Sequence, residues 1–62
     1  MNNYLINYLA RNKINLQNID LPAYVLRDLI MILSEPNYKA SGATMTWLQS
    51  QWPGIYLILK KG

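Results

Sequence analysis

Residues 22–34 read PAYVLRDLIMILS, and no other stretch of the chain carries as clear a period. At about 100° per residue, Val25, Leu26, Leu29, Ile30, Ile32 and Leu33 fall on one broad face, the pattern of an amphipathic helix laid on a core. Asp20 is the expected N-cap: Pro22 has no N–H to offer, so the carboxylate would take the amide of Ala23. Ile19 and Tyr24 then stand at the positions of a hydrophobic staple. Glu35-Pro36-Asn37 stops the helix, because a residue before proline is pushed away from helical angles. On this reading Asp28 and Glu35 share a solvated polar face. Tyr24 and Met31 point away from the apolar stripe, flanking Arg27 and Asp28 where a purely solvated helix would carry Lys or Glu.

Working outward, Asn3 to Arg11 places Leu5, Tyr8 and Leu9 on one stripe. Asn2 or Asn3 is the candidate cap, with Arg11 and Lys13 near the negative end of the helix dipole. From Asn12 to Asp20 the chain reads as a connector that tucks Ile14, Leu16, Ile19 and Leu21 under the helices. A further helix is expected from Ser41 to about Gln51, with Met45, Leu48 and Trp52 on one side and Ala43 and Trp47 on the other. Trp52-Pro53-Gly54 interrupts it. Ile55-Tyr56-Leu57-Ile58-Leu59 is strand-prone, but Pro53 before it and Lys60 and Lys61 after it are helix punctuation. The expected fold is all-α: a compact three-helix bundle with a short fourth C-terminal helix, in one domain spanning residues 1–62. The alternative is an α+β form with a two-stranded ribbon from residues 14–21 and 55–60, disfavoured because an isolated ribbon is marginal.

The 62 residues contain no Cys and no His. That removes disulfides, thiolate nucleophiles, zinc ligand sets and the usual general base together. The carboxylates Asp20, Asp28 and Glu35 each have a structural role to fill, and Gly42, Gly54 and Gly62 stand alone rather than in a phosphate loop. No catalytic residue, cofactor, metal or small-molecule substrate is therefore expected. The longest apolar runs, Leu29 to Leu33 and Ile55 to Leu59, are too short to cross a bilayer, and the start lacks the basic and apolar regions of a signal peptide. A chain free of cysteine and of membrane signals fits the cytoplasm.

Five Tyr and two Trp without any Phe give every aromatic ring a polar handle, the type enriched where one side is buried and the other wet. The plain explanation is that Tyr replaces Phe at half-buried positions and that the C-terminal tail covers the second tryptophan. The functional expectation is a surface of Tyr24, Arg27, Met31 and Trp47 for a protein partner or for self-association, in an inhibitor, adaptor or assembly factor. Compactness and an Asn-rich start suit a small accessory protein of a phage or mobile element. The rival is a helix-turn-helix using residues 22–34 and 41–51, with Lys39, Lys60 and Lys61 on phosphates. Net charge +3 is compatible with nucleic acid. Yet residues 35–40 are long for the turn, and the recognition helix would carry Thr44, Thr46, Gln49, Ser50 and Gln51 without Arg or Lys.

Overall fold

A computed structural model describes residues 3–35 and 37–61. Four α-helices follow one another: α1 (Asn3–Arg11), α2 (Ala23–Ser34), α3 (Gly42–Gln51) and α4 (Pro53–Lys61), with one 3-10 turn at Leu16–Asn18. No strand occurs among the described residues, so the two-stranded ribbon is ruled out: residues 14–21 contain the 3-10 turn and the tail is helical. Leu16 of that turn is buried, as a tucking connector requires. The core gathers Leu5 and Leu9 of α1, Leu16, Val25, Leu29 and Ile32 of α2, Leu48 of α3 and Ile55 of α4. A radius of gyration of 10.5 Å matches the roughly 11 Å of a folded chain this long, so exposed apolar groups do not reflect loose packing.

The helix ends show how local chemistry sets these boundaries. α1 closes in a Schellman motif: the Ile14 N–H donates to the Leu9 carbonyl at 2.9 Å and the Lys13 N–H to the Ala10 carbonyl at 3.2 Å. The motif needs a left-handed residue, and Lys13 occupies it with φ 55°. Glycine holds that conformation without a Cβ clash. Lys13→Gly is therefore expected to raise stability by about 0.5–1 kcal/mol. Urea denaturation checks this, and a lowered midpoint would show that the lysine side chain contributes more than its backbone costs. The N-cap expected of Asn2 or Asn3 falls partly outside the described residues.

α2 begins later than Asp20 would dictate. Its N-cap is Pro22, without a side-chain cap bond; the Pro22 carbonyl accepts from Val25 at 3.1 Å and Leu26 at 3.0 Å. Asp20 lies two residues outside the cap and is exposed, so the expected cap at Asp20 is corrected to Pro22. The same register moves the staple positions to Leu21 and Leu26, both packed on the core, while Tyr24 stays exposed. At the other end Glu35 is the C-cap, its N–H on the Met31 carbonyl at 2.7 Å.

Trp52 closes α3 with its N–H on the Leu48 carbonyl at 2.7 Å, and its own carbonyl accepts from Ile55 and Tyr56, so α4 starts without a linker. Its indole N–H donates to the Tyr8 hydroxyl at 3.2 Å, fastening α1 to this corner. Gly54 permits the approach, since a Cβ there would stand 2.7 Å from that hydroxyl. Gly54→Ala gains at most about 1 kcal/mol of helix propensity but forces the Tyr8 ring away. A net loss of about 1–2 kcal/mol is expected from the overpacking. An unchanged denaturation midpoint would mean that Tyr8 swings clear freely.

Candidate functional site

Five of the six stripe residues of α2 pack on the core as expected, but the helix is turned about its axis so that the sixth does not. Val25, Asp28, Leu29 and Ile32 are buried, whereas Ile30 is 41% exposed. At about 100° per residue the buried arc is turned by roughly 60° from the centre of the apolar stripe. Asp28, expected on a solvated face, is 1% exposed, and Ile30, expected in the core, stands outside.

The hydrogen bonds to Asp28 explain the turn. Its Oδ1 accepts from the Tyr38 hydroxyl at 2.5 Å. Its Oδ2 accepts from the Ser41 N–H at 2.9 Å and from the buried Thr44 hydroxyl at 2.7 Å. Thr44 in turn accepts from the Ser41 hydroxyl at 3.2 Å, and the Thr44 N–H donates back to Ser41 Oγ at 3.3 Å, which makes Ser41 the N-cap of α3. The carboxylate thus sits at the positive end of α3 and binds the connection, residues 35–41, to both helices. Burial alone would raise the Asp28 pKa; the bonds from Tyr38, Thr44 and Ser41 outweigh it and hold the group down at about 2. The Tyr38 hydroxyl is pushed above its ordinary 10.0 by its bond to Asp28 and by burial, partly opposed by the positive charge of Arg27. No buried side-chain nitrogen or oxygen is left without a partner among the described residues.

Turning Asp28 inward leaves an unusual outer face. Tyr24 is 42% exposed, Arg27 and Ile30 are exposed, and Leu26, Met31 and Leu33 are half-buried on its flanks. A helix apolar on nearly every side is ordinarily buried on every side. Beside it runs an open groove of about 330 Å³, lined by Leu9, Ile14, Leu16, Ile30 and Leu33 with Asn15 and Gln17. Ile30 belongs to both, so helix face and groove are continuous.

Of the residues singled out in the sequence, Tyr24, Arg27 and Met31 therefore lie together on the outer side of α2. Trp47 stands on α3, half-buried against the core, and Trp52 is half-buried as well, so both tryptophans pack inward. Lys39 lies in the connection and Lys60 and Lys61 at the end of α4, all exposed. Periodicity finds neither the exposure of Ile30 nor the groove, because it puts Ile30 in the core; only Asp28's partners, ten to sixteen residues away, reveal otherwise.

These features define a small all-helical bundle whose α2 presents apolar side chains on its outer face; Tyr4 of α1 and Leu57 of α4 are exposed as well. Comparison with protein-family models, curated proteins and solved structures finds no significant match. Among the described residues no helix is long and apolar enough to cross a membrane.

Proposed function

We propose that the chain acts stoichiometrically on a protein partner, as an inhibitor, adaptor or assembly factor, by docking through the outer face of α2 rather than by catalysis. The observation that carries this is Ile30, exposed one turn beyond Leu26 and Arg27 on a helix already apolar on its inner side. Tyr24 and Arg27 supply the aromatic and guanidinium side chains that dominate binding energy at protein interfaces, with Ile30, Met31 and Leu33 as the apolar surround. The buried carboxylate accepts from three donors that tie α2 to the start of α3, which fits a structural role. The cysteine-free composition fits a reducing compartment.

The test is affinity capture from cells that produce the protein, comparing the parent with Tyr24→Ala, Arg27→Ala and Ile30→Glu. All three sites are exposed, so thermal midpoints should stay within a few degrees while capture of the partner is lost. Undiminished capture by all three would place the binding surface elsewhere. Substituting Trp47 is expected to lower stability as well as binding, because its ring packs on the core.

A nucleic-acid reading has one observation in its favour. With Asp28 withdrawn, Arg11, Lys13, Arg27, Lys39, Lys60 and Lys61 are all exposed against only Asp20 and Glu35. The outward side of α3 offers Thr46, Gln49 and Ser50, residue types able to contact base edges. A gel shift of duplex DNA at low ionic strength, abolished by added salt and by Lys39→Ala with Lys60→Ala and Lys61→Ala, would establish it.

A further inference from the structure

We infer that the occupant of the α2 face and its groove is an acidic amphipathic helix of another protein, its aliphatic side chains in the groove and its carboxylates on Lys13 and Arg27. This rests on the protein-docking reading above and names the chemistry of the partner. The groove is lined by Leu9, Ile14, Leu16, Ile30 and Leu33, so it selects aliphatic side chains. Exposed cations flank it: Lys13 stands one residue from Ile14, and Arg27 one helical turn before Ile30. The exposed carboxylates, Asp20 and Glu35, lie just beyond the two ends of α2.

The other occupants fit less well. A second copy would bring its own six basic side chains and few exposed acids to a surface that already lacks acids. Nucleic acid would meet aliphatic walls where single-strand binders present aromatic platforms. A peptide added as a strand needs a sheet edge, and the described residues include no strand, while a polyproline segment docks on aromatic grooves and this one has no aromatic lining. A helix satisfies its own backbone and presents side chains at the spacing of a groove.

Three labelled peptides of about five helical turns test this. Each carries Leu at the i, i+3, i+4, i+7 positions, with Glu, Gln or Lys elsewhere. Fluorescence anisotropy should show the Glu peptide binding about tenfold tighter than the Gln peptide at low ionic strength, with the margin shrinking in salt and the Lys peptide weakest. Amide chemical-shift changes should gather at residues 13–17 and 26–33. The double variant Lys13→Glu with Arg27→Glu should reverse the order of the Glu and Lys peptides, and Ile30→Glu should weaken all three. Equal binding of the Glu and Gln peptides at these residues would overturn the acidic partner while leaving the docking face in place. Shifts confined to other residues, a dimer that protects α2, or duplex DNA perturbing the same amides would each overturn the inference. Cellular capture that survives Tyr24→Ala, Arg27→Ala and Ile30→Glu would instead overturn the docking face, so the two failures are told apart.

Discussion

Asp28→Ala is expected to lower stability by about 2–4 kcal/mol, a fall in thermal midpoint on the order of 10–25 °C for a chain this small. The substitution deprives three donors of their acceptor at once, one of them the buried Thr44 hydroxyl. It also removes the negative charge from the N-terminal end of α3. Asp28→Asn should fall between, since an amide keeps one acceptor oxygen but turns N–H groups toward a donor. The same network makes stability depend on acid. Because the folded pKa of about 2 lies below the ordinary 3.8, the contribution is fully present above 3.8 and is lost as pH falls through 2. That gap corresponds to about 2 kcal/mol. Thermal melts from pH 6 down to about pH 2 should therefore show a steeper decline for the parent than for Asp28→Asn. Parallel curves, or an Asp28→Ala midpoint within a few degrees of the parent, would mean that the carboxylate does not hold α3.

Leu48→Ala is expected to cost about 2–5 kcal/mol, enough to leave much of the chain unfolded at ambient temperature given the marginal stability of so small a domain. The reason is that α3 buries few side chains fully. Thr44 and Leu48 are its fully buried side chains, one an alcohol and the other the chief aliphatic anchor. Leu48→Met, which conserves volume, should cost less than about 1.5 kcal/mol. Urea denaturation with circular dichroism distinguishes the two. A mild alanine variant would show that Trp47 and Trp52, half-buried on the same cluster, carry the packing instead. Leu48 and Thr44 lie one turn apart, so combining Leu48→Ala with Asp28→Ala should depart from additivity, both changes releasing the same helix.

The elements themselves were legible in the sequence. Pro53 with Lys60 and Lys61 marked the last helix, Ser41 the start of α3, Glu35-Pro36 the end of α2, and the Leu5 to Leu9 stripe placed α1. Each depends on short-range chemistry, caps, proline geometry and side-chain period, which neighbouring residues determine among themselves. Tyr24, Arg27 and Met31 could be grouped by the same arithmetic, because residues three and four apart share a helix side in any context. The rotation of α2 could not be read that way. The apolar stripe of that helix is clear but broad, so periodicity leaves the centre of its inward face loosely determined. Asp28 decides it, through Tyr38, Ser41 and Thr44, which meet only when α3 folds back on α2. A carboxylate given three donors at a helix N-terminus is stable inside, and placing it there turns Ile30 out. Sequence alone thus favoured four helices, while the N-cap of α2 at Pro22 and the helical state of residues 55–60 were settled by the fold; tertiary structure also turned the central helix about its axis, and with it set the surface left for a partner.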